Sequence, residues 1–347
     1  MKLNEIWNGK SKHGPYLIAE IGVNHNGSLE LAMNMVRAAA DSGADAVKFQ
    51  TFTAEDLVTR ITPKVRYQES TTSPDESHYE MIEALEMPVS FYDPLLSLCR
   101  ELDLEFCSTP YDPKSVLFLE SLKVPYYKVA SADIVDLVLL KSIARTNKPV
   151  ILSTGMSTLV EIEEAVRVLT SFGNERLVLL HCVSNYPCSN ESLNLRSINL
   201  LKNIFGYQVG FSDHSVGSLA ATLSVALGAS VIEKHFTLDK NLPGPDHLAS
   251  STPDEFLELS QAIKNAEKAL GLASKFCQKE EMQMSEVSRK SVVASRDLAA
   301  GTVLSVDDLV MKRPGTGLKA NQIEKLLGKQ LRQDLVKDEQ IDWSHLS

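Results

Sequence analysis

The chain has 347 residues, 44% of them hydrophobic and 23% charged, with a formal charge of −10 at pH 7. That length fits one large domain plus a module, or two medium domains. The acidic balance disfavours a nucleic-acid groove, which needs a basic footprint, so an anionic ligand would have to meet local positive charge.

Apolar runs stay near strand length, short of the roughly 20 residues that span a bilayer. Met1 to Gly14 is polar and lacks the apolar core of a secretory signal, so the cytoplasm is the expected compartment. Cys99, Cys107, Cys182, Cys188 and Cys277 are an odd set without a CxxC pair. That argues against a disulfide framework and against a thiolate zinc site.

In chain order, Tyr16 to Asn24 reads as a strand closing in the turn signal Asn24-His25-Asn26-Gly27. Ser28 is a candidate N-cap for a helix whose apolar residues Leu31, Met35, Ala38 and Ala39 share one face until Gly43 stops it. Asp45 to Phe52 reads as a second strand. A long polar insertion from Thr53 to Ser77 and a helix around Phe91 to Leu102 follow.

Further strand-like runs are Leu104 to Tyr111, Tyr126 to Ile134, Pro149 to Gly155, Leu177 to Pro187, Gln208 to Ser215 and Val231 to Asp239. Helix candidates between and after them include Thr158 to Phe172, Gly217 to Leu227 and Pro253 to Leu270. Eight strand and helix alternations over roughly 250 residues predict a (β/α)8 TIM barrel, with its site at the C-terminal ends of the strands. A doubly wound sheet would need a Gly-rich phosphate loop after strand one, and Val23-Asn24-His25-Asn26-Gly27 is not one.

Past Gly271 the composition turns polar, and short β-like runs appear at Ser291 to Arg296, Thr302 to Leu304 and Leu309 to Arg313. The expected division is a barrel over 1–272, a helical linker over 273–289 and a small β-rich domain over 290–347.

A barrel demands polar residues at its strand ends, and the sequence supplies them. They include Glu20, Lys48, Gln50, Thr109, Lys128, Ser131, Asp133, Ser153, His181, Ser184, Tyr186, Ser212, Asp213, His214, Glu233, Lys234 and His235. Lys48 and Lys128 sit in otherwise apolar strands, where an unpaired ammonium costs several kcal/mol. An anionic ligand would resolve that cost; the alternative is an ion pair with Glu20 or Glu233. Hydroxyls of Thr109, Ser131, Ser153 and Ser212 beside the lysines form a donor set suited to phosphate. His214 and His235, delivered by successive strands, suggest a shared divalent metal, Mn2+ first and Co2+ or Mg2+ after it. Such an ion polarises a carbonyl.

Eight segments then show a resemblance: IAEIGVNHNG, VKFQTF, STP, ILSTGM, HCVSNYP, GFSDH, EKHFTLD and GPDH occur in that order from Ile18 to His247. Together they resemble the sialic acid (N-acetylneuraminate) synthase family, and the tail from SVVASRDLAAGTVL to MKRPGTG resembles its C-terminal antifreeze-like (SAF) domain. The resemblance implies a transferase that condenses phosphoenolpyruvate with open-chain N-acetylmannosamine and water, giving a nine-carbon 2-keto acid and phosphate. A legionaminate synthase using 2,4-diacetamido-2,4,6-trideoxy-mannose, or another nonulosonic acid synthase, is the alternative.

By the resemblance, Lys48, Thr109, Lys128, Ser131, Ser153, Ser184 and Ser212 would hold phosphoenolpyruvate, and His214 and His235 a divalent metal. Gln50, Asp133, Tyr186 and Asp246 would face the sugar, with Glu20 as acid/base for the water that attacks C2. Some members carry Asn where Ser184 stands and Gly-Glu where Ala132-Asp133 stand, so these contacts are shorter or displaced here. The resemblance also implies a domain-swapped homodimer in which Arg313 reaches the partner's site. Two rivals are a barrel synthase acting on a phosphorylated aldose, which would need a second basic pocket, and a binding protein with a degenerate barrel.

Overall fold

The computed structural model describes residues 3–7 and 14–347. Of the polar stretch Met1 to Gly14, on which the absence of a signal was read, residues 1–2 and 8–13 lie outside the described residues. The chain divides into two units, Met1–Gly271 and Leu272–Ser347.

In the first unit the apolar runs become eight short strands: β1 (Tyr16–Gly22), β2 (Ala46–Thr51), β3 (Glu105–Pro110), β4 (Tyr127–Val129), β5 (Val150–Ser153), β6 (Leu177–Cys182), β7 (Gln208–Asp213) and β8 (Val231–His235). Every recorded pairing among them is parallel. The order is β3-β2-β1-β8-β7-β6-β5-β4, and β3 and β4 at its ends lie side by side, closing the (β/α)8 barrel.

Helices start where the sequence caps them. Ser28 Oγ accepts from Leu31 N at 3.2 Å ahead of Leu29–Asp41, and Thr158 and Thr252 form capping boxes with Glu161 and Glu255. Gly43 takes φ +87°, the left-handed conformation that glycine adopts without steric cost, just past the first of these helices.

Two expectations change. The run Tyr126 to Ile134 is a strand only over Tyr127–Val129, because Ser131–Val135 turns into a 3-10 helix at the barrel rim. The insertion after β2 carries short helices at Ala54–Leu57, Arg66–Thr71 and His78–Ala84, the last with its own capping box. Val23, Phe52, Met81 and Leu85 form a small apolar cluster of their own beneath it.

The barrel interior is built by alternation. Side chains two residues apart share a face of a strand, so Ile18, Ala46, Cys107, Ile151, Leu180 and Val231 meet inside as one apolar layer. A feature absent from the sequence reading closes that layer: the helix Leu3–Trp7 places Leu3 and Ile6, both buried, in the same cluster. No helix among the described residues is long and apolar enough to cross a membrane.

The second unit pairs β9 (Ser291–Ala294) antiparallel with β10 (Leu309–Lys312), and single bridges such as Val303 to Gln330 tie in the rest. Thr302 to Leu304, read as a strand, contributes only that bridge. The unit has its own core, including Val292, Leu298, Leu304, Leu331 and Ile341. The segment read as a helical linker is helical over Lys279–Glu281 and Met282–Ser288.

Candidate active site

Two residues beyond the apolar layer, the same inward faces carry Glu20, Lys48, Thr109, Lys128, Ser153, Cys182, Ser212 and Glu233, and all are buried. Above them a cavity of about 280 Å³ opens at the C-terminal ends of the strands. A larger cavity, about 650 Å³, opens at the opposite end beside Gly14 and Lys264. It lies away from the converging charges, and barrel chemistry belongs at the C-terminal ends.

Glu233 lies at the centre of the charged layer. Its carboxylate is 3.7 Å from Lys48 Nζ on one side and 3.7 Å from Lys128 Nζ on the other, and it accepts from Ser212 Oγ at 2.8 Å. Lys48 Nζ also lies 2.8 Å from Glu20 Oε2 and donates to Thr109 Oγ1 at 3.3 Å. Lys128 Nζ donates to Ser153 Oγ at 2.7 Å. The strand-embedded lysines are therefore ion-paired within the chain, through both carboxylates named as alternatives to a ligand.

The three central ionisable positions respond differently to burial. Burial pushes the Glu20 carboxyl up to about 7 against the pull of Lys48. Glu233 is just as buried, but Lys128 and Lys48 outweigh that and hold its carboxyl at about 2. Lys128 is lowered, because burial exceeds the attraction of Glu233.

Gly155 crosses close to the hydroxyl side of the cavity. Its N–H donates to Ser131 Oγ at 3.0 Å, and a Cβ there would lie 2.5 Å from Ser184 Oγ, 2.7 Å from Cys182 Sγ and 2.8 Å from Ser131 Oγ. Ser131 and Cys182 are themselves 3.0 Å apart. Only a residue without a side chain lets these three groups converge.

The imidazoles of His214 and His235 stand with ring centroids 5.5 Å apart, and Tyr186 lies 4.2 Å from the first and 5.4 Å from the second. His214 Nδ1 is 2.7 Å from the carbonyl oxygen of Val183, which assigns the proton to Nδ1 and leaves the lone pair on Nε2, 3.4 Å from Ser212 Oγ. Burial lowers both imidazoles, His235 well below its usual range with His214 adding to the effect. His235 Nδ1 is buried without a hydrogen-bond partner, 3.9 Å from Asp246 Oδ2. Among the described residues no group of three or more His, Cys, Asp or Glu is arranged to hold a metal. Two neutral, adjacent imidazoles, one of them with an orphaned nitrogen, fit a divalent ion whose other positions are filled by water or substrate.

A family model described as the NeuB family matches residues 35–275, and one described as the SAF domain matches 289–347. The chain belongs to the NeuB family. The N,N'-diacetyllegionaminic acid synthase of Legionella pneumophila is 43% identical to this NeuB chain, with 99% of the chain and 98% of that protein covered. The enzyme of that name from Campylobacter jejuni is also 43% identical, over 94% and 98%. The crystal structure of N-acetylneuraminic acid synthetase from Leptospira borgpetersenii in complex with citrate superposes with a TM-score of 0.69 at 33% identity, over 78% of the chain and 90% of that structure. NeuB family synthases condense phosphoenolpyruvate with sugars, and this chain is a transferase of the nonulosonic acid synthase class.

Within this NeuB barrel, Glu20, Lys48, Gln50, Lys128, Ser131, Ser153, Ser184, Tyr186, Ser212, His214, His235 and Asp246 all line the one cavity. Thr109 reaches it only through Lys48. Asp133 does not line it: its carboxylate is tucked into the rim with Oδ2 buried and unbonded, and burial raises it to about 7. Arg313 belongs to the second unit, where it is exposed and its Nε donates to Ser288 O at 3.0 Å.

Three strand-end residues face away from the cavity. Lys234 Nζ bonds Asp213 Oδ2 at 2.8 Å and the carbonyls of Ser215 and Gly217 outside the barrel, and His181 bonds Leu193 O at 2.7 Å. Conversely, Glu233 and Cys182 belong to the cavity. Strict alternation could have found both: Glu233 shares a face with His235, and Cys182 stands two residues past the inward Leu180.

Proposed function

We propose that this chain joins phosphoenolpyruvate to the open-chain aldehyde of an unphosphorylated N-acylated amino sugar of the mannosamine type. The acceptor is N-acetylmannosamine or its 2,4-diacetamido-2,4,6-trideoxy counterpart. The observation that carries this reading is the pair of lysines flanking Glu233 and ringed by hydroxyls in one cavity with Tyr186 and Asp246. The two cations match the phosphate and carboxylate of phosphoenolpyruvate. Ser131, Ser153, Ser184 and Ser212 supply donors, Ser184 to the carboxylate, and Thr109 orients Lys48 by accepting from it. Apart from Lys48, Lys128 and the imidazoles, no basic side chain lines the cavity among the described residues, which favours an acceptor without a phosphate of its own.

Gln50, Tyr186, Asp246 and, from the rim, Asp133 hold the sugar so that its aldehyde carbon faces C3 of phosphoenolpyruvate. The π electrons of the enol form the new C–C bond, the aldehyde oxygen takes the proton of the Glu20 carboxyl to become a hydroxyl, and C2 is left electron-poor. Water adds at C2 while Glu20, whose carboxyl near 7 exchanges protons at neutral pH, accepts its proton. Collapse of that adduct expels phosphate and leaves the 2-keto group. A divalent ion, Mn2+ or else Co2+ or Mg2+, would be held by His214 and His235 and would supply Lewis-acid polarisation of the acceptor carbonyl.

The reading extends to a homodimer in the cytoplasm, with Arg313 of the partner subunit contacting the acyl group by a domain swap. The exposed guanidinium of Arg313 supports it. Purified protein with phosphoenolpyruvate, Mn2+ and either acceptor should release phosphate and form a nine-carbon 2-keto acid. Absence of turnover with both acceptors sinks the reading, and unchanged turnover after truncation at Leu272 sinks the role of Arg313.

A further inference from the structure

We propose that Cys182 is a positioning residue for the phosphoenolpyruvate end of the reaction: its thiol donates to Ser131 Oγ and so turns the Ser131 hydroxyl proton into the cavity, toward the anion. The inference rests on the reaction proposed above and adds a residue that acts on the substrate only through another side chain.

Cys182 is the one group of its layer that is neither charged nor a hydroxyl. The other inward residues there are Glu20, Lys48, Thr109, Lys128, Ser153, Ser212 and Glu233, and strand register places Cys182 beside Ser212 on β7. Its sulfur lines the cavity, yet the reaction as derived gives it no task.

Three chain segments meet at that sulfur. Ser131 opens the 3-10 helix Ser131–Val135 that follows β4, Gly155 follows β5, and Cys182 closes β6. Sγ is 3.0 Å from Ser131 Oγ, which also accepts from Gly155 N–H at 3.0 Å. Gly155 leaves the space open, since a Cβ there would lie 2.7 Å from Sγ and 2.8 Å from Ser131 Oγ. The contact is therefore fixed by the ends of β4, β5 and β6, and it exists before substrate arrives.

Counting protons and lone pairs gives its direction. A serine hydroxyl has one proton and accepts at two lone pairs, whereas a thiol has one proton and donates weakly. Burial pushes the Cys182 thiol up from its usual range, so it keeps that proton at neutral pH. Among the described residues Ser131 Oγ is the only acceptor bonded to Sγ. If Ser131 donated to the sulfur, the thiol proton would be buried without an acceptor, and Ser131 would have no proton left for a ligand. With the thiol as donor, both lone pairs of Ser131 are engaged, by Cys182 and by Gly155, and the hydroxyl proton points into the cavity. Donation to a phosphate or carboxylate oxygen then needs no rearrangement.

The test is a double-mutant cycle of Cys182→Ala with Ser131→Ala, measuring the KM of phosphoenolpyruvate and of the acceptor sugar at each corner. KM does not depend on the fraction of a preparation that is folded. Cys182→Ala should raise the KM for phosphoenolpyruvate about fivefold, the size of one neutral hydrogen bond, and leave that of the acceptor within about twofold of the wild type. In the Ser131→Ala background the thiol has nothing to orient, so Cys182→Ala should add no further rise. Cys182→Ser keeps a donor in place and should restore most of the loss.

A phosphoenolpyruvate KM unchanged in Cys182→Ala overturns the positioning role while the synthase reading stands. So does a rise that persists without Ser131 or falls equally on the acceptor, and so does a serine variant as impaired as the alanine one. Phosphate release with neither N-acetylmannosamine nor its 2,4-diacetamido counterpart overturns the reaction itself.

Discussion

The barrel interior has two storeys built by one rule with opposite contents. Below, Ile18, Ala46, Cys107, Ile151, Leu180 and Val231 pack with Leu3 and Ile6 from the N-terminal helix. Two residues further along the same strands, Glu20, Lys48, Thr109, Ser153, Cys182 and Glu233 replace them, with Lys128 above Tyr126. The lower storey stabilises by removing apolar surface from water, about 25 cal/mol per Å². In the upper one, desolvation of the charges roughly cancels their attraction, so its ion pairs add little net stability. Burial and backbone geometry are alike in both, so the difference separates the part that holds the barrel together from the part that performs chemistry.

The comparison breaks most sharply at Lys128. Lys128→Met keeps the volume and leaves Glu233 paired with Lys48 and Ser212. It should lower kcat/KM for phosphoenolpyruvate by about three orders of magnitude, as for loss of a charge-stabilising donor. Steady-state kinetics with phosphoenolpyruvate varied would check it, and a loss under tenfold would remove Lys128 from the substrate's phosphate or carboxylate.

The converse substitution is in the plug. Leu3→Ala should cost about 2–5 kcal/mol of stability by opening a buried void, visible as a lower urea midpoint. The kcat of the folded fraction should be unchanged, and an equal loss of kcat would show that the two storeys are not separable.

The smallest effect tests the rim. Asp133 has its carboxyl raised to about 7 by burial, with Asp136 adding to it. Folding therefore favours the protonated form. That contribution is complete below the ordinary carboxylate value near 4 and is lost as pH rises through about 7. Asp133→Asn does not titrate, so it should gain on the wild type progressively between pH 4 and pH 8 in parallel urea titrations. A difference that stays flat with pH would place the native carboxylate in water.

Much of the site was legible because strand alternation and chemistry coincide in short segments. Lys48 with Gln50 in VKFQ, Ser212 with His214 in SDH, and His235 in EKH are inward residues, and each lines the cavity. The misreadings have one physical source, a strand end treated as a cluster when its successive residues face opposite ways. Asp213 and Lys234 pair outside the barrel, and His181 stacks on Phe211 with centroids 5.9 Å apart. Glu233, between the two lysines, reads from the sequence as a strand-end residue and an ion-pair partner, with no substrate contact implied for it by the resemblance. Asp133 was placed by motif, but the early end of β4 turns it into the rim.

By itself the sequence determined the strand and helix alternation, the capped helix starts, the inward polar set and the family, because these depend on local periodicity and short-range chemistry. Only the tertiary structure decided that Lys48 and Lys128 share Glu233, that Leu3 and Ile6 close the barrel floor, and that the strip from Thr71 to Leu85 meets the loop Pro243 to Pro245 as a groove. Those are contacts between residues far apart in the chain. Their partners are set by the closing of the sheet and the packing of loops across its mouth, which no local pattern encodes.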